Sequence, residues 1–447
     1  AREDAAMPRP VAPPALPYPT IVLPGIMGSV LRDQYPVDPE TVWSPLRLVA
    51  RAYDRITPHP SDPRYELKEP ARVAPDRVFE IVYGDFIEEL RYNVTRRADR
   101  PVPVYPFAYD WRRPLEDVEA QLAEFVQEVV DRTKLLRHYH EAGYGGARFP
   151  AKVNLVGHSM GGLIAAGYLQ QYGDALVAKV ATLGAPFRGS IEAVAKTAVG
   201  VSTLTPAGSG SREREAARVT PALYYLLPSY RGGVLADERL PDDLFDPKCW
   251  QPGILASLAS FVRDYGLDER APERQALALL TQMLDRAWKH RQRIERLELD
   301  DPKRWLCIVG CDARTRVTLP IRRAPDGTSL FDLGDAHVRN EWGGADRKRR
   351  VQTGDHTVPY LGARAKFIPV EQVVCVTPDD FGVLELKDRL LELNGFHSTL
   401  PNLNLAQRLV VSHLRGERYG DVWGTSAPDL DDAAAWDPPI AGLTRRQ

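Results

Sequence analysis

The hexapeptide Gly157-His158-Ser159-Met160-Gly161-Gly162 constrains this chain more than any other stretch. An apolar strand-like run, Val153 to Val156, leads into it, and a helical pattern, Gly161 to Tyr172, leaves it. The backbone must therefore pass from strand to helix within about two residues, which strains the serine at the apex. Flanking glycines are required because side chains there would collide with the neighbouring strand and helix. A serine held this way stands clear at a helix N-terminus, where developing negative charge is favoured. The strand before it and the helix after it separate this G-x-S-x-G from an ordinary Gly-rich turn.

The same strand-then-helix rhythm surrounds the elbow. Thr20 to Leu23 and Val102 to Ala108 read as strands, and Asp85 stands before Phe86, Ile87 and Leu90 as an N-cap would. Pro114 opens an amphipathic helix with Leu115, Val118, Leu122, Phe125 and Val129 on its apolar face. Lys179 to Leu183, Leu306 to Gly310 and Gln372 to Val376 are further strands; Ala271 to Leu299 is helical, and a last helix begins near Leu403. Alternation of this kind predicts a mostly parallel central sheet with helices on both faces.

Two stretches break the rhythm. From Pro24 to about Val78 the chain reads as irregular and Pro-rich, with one helical segment carrying Arg47, Arg51 and Arg55 on one stripe and Trp43 and Leu46 mostly off it. The second runs from about Ser190 to Trp250. Its small-residue part, Gly200 to Ser211, leads into an apolar centre, Leu223-Tyr224-Tyr225-Leu226-Leu227. The expected organisation is a Pro-rich arm over 1–17, a catalytic domain over 18–420 with a cap insertion at about 30–78 and a lid insertion at about 190–250, and a polar tail over 421–447.

Composition removes several function classes. Lys and Arg number 58 against 60 Asp and Glu, a net charge of −2, so the electrostatic signature of a nucleic-acid binder is missing. The uncharged run Pro10 to Leu31 is interrupted by five prolines after the first, and the uncharged run between Lys152 and Asp174 changes from strand to helix at Gly157, so neither reads as a membrane span. Four cysteines are too few for a disulfide framework. Cys307 and Cys311 share one strand, roughly 13 Å apart, and cannot bridge each other. Neither H-E-x-x-H nor a close Cys or His pair of ligand spacing occurs, so no metal and no cofactor is expected. The chain starts at Ala1, compatible with a removed leader, and both a cytoplasmic and a secreted location stay open.

A serine becomes a nucleophile when a base takes its proton. In this arrangement the acid and the histidine follow the serine in that order, each after a later strand. His59, His138 and His140 precede the serine and His158 sits in its elbow; His290 and His413 lie in helices and His337 in a polar loop. His397, in Gly395-Phe-His-Ser-Thr-Leu-Pro401, is the expected base. Asp355, in Gly354-Asp-His-Thr-Val-Pro359, is the expected acid, with Asp312 as competitor because it follows the Cys311 strand more directly. An oxyanion needs two backbone N–H groups. Met160 supplies one, and the loop Pro24-Gly25-Ile26-Met27-Gly28 the other, through Met27 or alternatively Ile26.

Taken in order, Leu23-Pro-Gly-Ile-Met-Gly-Ser29, Tyr109-Asp-Trp-Arg112, the serine elbow, Gly184-Ala-Pro-Phe-Arg-Gly-Ser190, Gly354-Asp-His-Thr-Val-Pro359 and Phe396-His397 resemble the lecithin:cholesterol acyltransferase family of the α/β-hydrolase superfamily. The resemblance spans roughly residues 20 to 415. It implies an α/β-hydrolase fold, Ser159, Asp355 and His397 as triad, Met27 and Met160 as oxyanion donors, a lipid- or membrane-contacting cap and a lid. Unlike the animal members, this chain has no cysteine before Cys249, so the first cap lacks a disulfide-closed loop. The expected activity is serine-dependent hydrolysis or acyl transfer on a lipid-like carboxylic ester, with Trp43, Leu223, Tyr224 and Leu227 as substrate contacts and peripheral membrane contact as a corollary. The rivals are a small-ester or polyester hydrolase and a catalytically weak module that binds an acylated partner. Oligomeric state is not legible.

Overall fold

The computed structural model describes residues 16–44, 50–67, 70–200, 210–265, 270–334, 338–339, 351–382 and 395–446. Most of the Pro-rich arm, Leu46 and Arg47 of the first insertion, residues 201–209 of the second and His337 lie outside them.

Eight strands form the central sheet: β1 (Thr20–Leu23), β2 (Val104–Pro106), β3 (Val153–His158), β4 (Val177–Leu183), β5 (Trp305–Gly310), β6 (Val373–Val376), β7 (Trp423–Ser426) and β8 (Thr444–Arg445). Their spatial order is β8-β7-β6-β5-β4-β3-β1-β2, parallel throughout except where β7 runs against β6. Side chains alternate between two apolar layers, as a period of two requires. Ile21, Leu155, Cys307 and Val373 enter one layer, and Val22, Val156, Ile308 and Val374 the other. The first layer holds α2 (Leu115–Leu135) and α3 (Met160–Tyr172), with α6 (Pro272–Glu295) packed on α3. The second holds α1 (Glu80–Val94) and α7 (Asn404–Arg415), which touch each other. Both faces being covered explains why the strands read as unbroken apolar runs.

Local departures from the sequence reading have identifiable causes. Helix α1 begins at Glu80, so Asp85 is not its cap: Tyr83 joins Phe86, Ile87, Leu90 and Val94 on the buried face and carries the helix one turn further back. The stretch read as irregular before Val78 contains a three-stranded antiparallel sheet, Ser29–Asp33 between Glu40–Trp43 and Val73–Val78. Register shifts in both pairings and Pro75 within a strand hide its alternation. Residues 421–447 contribute β7 and β8 to the sheet edge. Within the second insertion, helix α4 (Ile191–Val199) and helices Gly210–Arg218 and Pro221–Tyr224 replace the expected lapse of regularity. Helix α5 (Pro252–Asp264) then packs on α6.

Candidate active site

Strand β3 ends at His158, and Ser159 occupies the turn into α3 with φ 52° and ψ −125°. A positive φ is costly for a residue with a Cβ and persists only where the surroundings impose it. Here the Ser159 N–H donates to the Leu183 carbonyl of β4 (2.9 Å) and its own carbonyl accepts from Gly162 N–H (2.9 Å). Gly161 has no alternative residue, because a Cβ there would lie 2.3 Å from the Leu23 carbonyl oxygen.

His397 lies in the short helix Phe396–Thr399, entered through Gly395. Its Nδ1 is 2.6 Å from Asp355 Oδ2 and its Nε2 is 2.8 Å from Ser159 Oγ. A carboxylate only accepts, so the imidazole N–H is on Nδ1 and Nε2 accepts from the serine hydroxyl. The other Asp355 oxygen accepts from the N–H groups of Thr357 (3.1 Å) and Val358 (2.6 Å). All three side chains are buried.

Asp355 reaches this point after a long excursion. The chain leaves β5, builds the hairpin Leu319–Arg323 with Ser329–Phe331, and returns where Gly354 bridges Ala313. The loop is therefore anchored beside the end of β5, as though it followed that strand directly. The carboxylate on His397 is that of Asp355 and not of Asp312.

The Pro24 to Gly28 loop leans over the serine: a Cβ on Gly25 would sit 2.9 Å from Ser159 Cβ. Gly28 N–H donates to the Gly25 carbonyl (3.0 Å), and Met27 is held at φ 60°. No bond from the Met27 amide or from that of Met160, the first residue of α3, is found among the described residues. Helix geometry leaves the Met160 N–H without an intrahelical acceptor.

The Tyr109 to Arg112 motif ties this loop to Ser29, Ile56 and Glu66. Tyr109 O–H donates to the Pro24 carbonyl (2.7 Å) and its N–H to Ser29 Oγ (3.1 Å); Trp111 Nε1–H donates to the Ser29 carbonyl (3.2 Å). Buried Arg112 pairs with Asp110 (2.8 Å) and Glu66 (3.2 Å) and donates to the Ile56 carbonyl (2.8 Å). Burial raises the Glu66 carboxyl, with Arg112 opposing. The motif is architecture, and the structure ties that architecture to the loop beside Ser159.

Of the expected substrate contacts, Trp43 is buried between Tyr53 (ring centroids 5.5 Å) and Trp111 (5.4 Å). Leu223, Tyr224 and Leu227 are buried in the same apolar cluster as Met27 and Met160. Their segment is fastened from behind: Tyr224 O–H donates to the Arg218 carbonyl (2.8 Å), and the Arg291 guanidinium donates to Ser229 Oγ (2.6 Å) and to the carbonyls of Tyr225 (2.7 Å) and Leu227 (3.3 Å).

Two residues escaped the sequence reading. Tyr83 Oη is 2.7 Å from His158 Nδ1 and accepts from Gly25 N–H (2.8 Å), while His158 Nε2 is 2.9 Å from the His397 carbonyl oxygen. Complete burial and the neighbouring His397 push the His158 imidazole down to about 3. Only the helical spacing of Tyr83 with Phe86, Ile87 and Leu90 could have marked it as inward-facing.

A mostly parallel sheet covered on both faces, with a strained serine between β3 and α3 and an aspartate and a histidine converging on it from loops after later strands, has the α/β-hydrolase fold. Within that class, residues 81–245 match the family model of lecithin:cholesterol acyltransferase, so the resemblance is found over somewhat more than a third of the chain. That stretch includes most of α1, Tyr109 to Arg112, the serine elbow and Gly184 to Ser190. No curated protein matches the chain in sequence. Among solved structures, the chain is similar to one in the crystal structure of the Tle4-Tli4 complex, with TM-score 0.57 at 15% identity, over 89% of this chain and 98% of that one. A much looser likeness is to the Bacillus licheniformis lipase BlEst2 in mature form, with TM-score 0.23 and 17% identity over 44% of this chain and 52% of that one. The first of these speaks to the fold.

Proposed function

We propose that this chain is a serine-dependent hydrolase or acyltransferase acting on a lipid-like carboxylic ester. The observation that carries the proposal is the unbroken hydrogen-bonded line Ser159–His397–Asp355 at a strained serine. Ser159 Oγ attacks the ester carbonyl as its proton passes to His397 Nε2, and Asp355 holds the imidazolium that forms. The Met27 and Met160 amides receive the oxyanion. Collapse of the tetrahedral adduct breaks the ester C–O bond; His397 returns the proton to the departing alcohol, and the acyl group stays on Ser159. Water or a second alcohol, deprotonated by the same histidine, then releases it.

The lipid-like substrate is supported by the family match over residues 81–245. In this reading residues 30–78 act as cap and 190–250 as lid. The turn joining the first two cap strands exposes Tyr35 and Val37, an apolar tip suited to a lipid surface. Substituting both with serine is expected to reduce cosedimentation with phosphatidylcholine vesicles, and unchanged partition would remove the surface-contact part of the proposal.

A fluorophosphonate probe tests the chemistry. Wild type is expected to be labelled at Ser159 within minutes, and an unlabelled serine in folded protein would instead favour a binding module. Rates on p-nitrophenyl esters are expected to rise with chain length to eight carbons or more; an optimum at about two to four carbons would redirect the proposal to small esters or polyesters.

A further inference from the structure

Tyr83 and His158 form a buried polar chain that joins segments remote in sequence, and the hydrogen positions along it follow from chemistry. The His397 carbonyl can only accept, so His158 Nε2 carries a hydrogen and donates to it across 2.9 Å. A neutral imidazole then has a bare Nδ1, which must accept. Its partner is Tyr83 Oη at 2.7 Å, and the phenol therefore spends its single hydrogen there. The same oxygen accepts from Gly25 N–H at 2.8 Å. The result is one directed line, Gly25 N–H to Tyr83 O–H to His158 Nδ1, then Nε2–H to the carbonyl of His397. Burial, which lowers His158 and raises the Tyr83 phenol, favours the neutral forms that this line needs.

The ends of the line are the two parts of the site that must not drift relative to Ser159. Gly25 opens the loop bearing Met27, and the His397 backbone carries the imidazole that faces the serine. His158 is adjacent to Ser159 in the chain, so the elbow itself is the fixed point between them. Tyr83 brings in α1, a helix on the sheet face opposite to α3. We propose that Tyr83 and His158 are positioning residues, which lock the oxyanion loop and the His397 backbone to the serine elbow. The proposal rests on the role given to Ser159 and His397 above.

A displacement of the reacting groups by about 1 Å costs up to roughly 100-fold in rate. Tyr83→Phe keeps the ring and removes the link; its kcat on a p-nitrophenyl ester is expected to fall roughly 10- to 100-fold with KM within about threefold. His158→Gln keeps an N–H able to reach the His397 carbonyl and is expected to retain several-fold more kcat than His158→Leu, which has none. A folded Tyr83→Phe with kcat within about twofold of wild type, or equal rates for the two His158 variants, overturns the proposal. A direct readout needs no activity: in protein labelled with [15N]histidine, the signal lost in His158→Gln should be that of a neutral Nε2–H imidazole at pH 7. A neutral Nδ1–H imidazole or an imidazolium there also overturns it, even if Tyr83→Phe fails to fold. Ser159→Ala assayed alongside separates the two ideas, since its retention of activity would refute the nucleophile and leave the tautomer measurement standing.

Discussion

Ser159→Ala is expected to lower p-nitrophenyl ester turnover by at least about 10⁴-fold, to the level left by binding and oxyanion donors alone. The variant should fold as wild type does, because the alanine keeps the Cβ and the backbone bonds to Leu183 and Gly162 do not involve Oγ. Retention of a tenth of the activity would overturn the assigned nucleophile. Asp355→Asn makes a sharper companion. One Asp355 oxygen accepts two backbone N–H groups, so the amide of asparagine must keep its oxygen there and turn its NH2 towards His397. The imidazole Nδ1 then has to accept, the hydrogen moves to Nε2, and the base can no longer take the serine proton. A loss of about 10³- to 10⁴-fold is expected, and the double variant should be little worse than Ser159→Ala, since the two residues act as a unit.

What could be read from the sequence divides along physical lines. The elbow was legible because its strand, its glycines and its helix are neighbours in the chain, whereas the contact that bars a Cβ at Gly161, the Leu23 carbonyl oxygen of β1, is remote in sequence. His397 and Asp355 were legible through their order and loops, yet the choice against Asp312 depended on whether the hairpin arm folds back, which the bridge of Gly354 to Ala313 decides in three dimensions. The three-stranded sheet before α1 was not legible, because its register shifts break the period of two. Residues 421–447 looked like a polar tail because β8, the edge strand, is exposed and β7 beside it is short and mostly half-buried, so neither needs a continuous apolar run. The Tyr83–His158 line lay beyond reach for another reason. It joins residues 25, 83, 158 and 397, whose proximity follows only from the sheet order and from the packing of α1.

That line also dictates a response to acid. His158 is neutral in the folded protein and is pushed down to about 3, whereas an unfolded histidine titrates near 6.5. Below the unfolded value the unfolded chain binds a proton that the native state refuses, so this group's contribution to stability is complete above about pH 6.5 and is lost as the pH falls towards 3. His413, buried against the carbonyls of Val180 (3.0 Å) and Arg304 (3.2 Å), is pushed down to about 4 by burial and by Lys179, and has the same sign. Between pH 7 and pH 5 each is expected to remove about 2 kcal/mol from the free energy of unfolding. Urea unfolding at the two pH values measures the total. His158→Gln, which cannot titrate, isolates one share: its stability should fall by about 2 kcal/mol less than that of wild type over the same interval, whatever its stability at pH 7. Parallel losses in the two proteins would mean that the native state accepts the proton at His158. Tyr83 would then have to send its hydrogen elsewhere, and the directed hydrogen-bond line between the Pro24 to Gly28 loop and His397 would be broken at its centre.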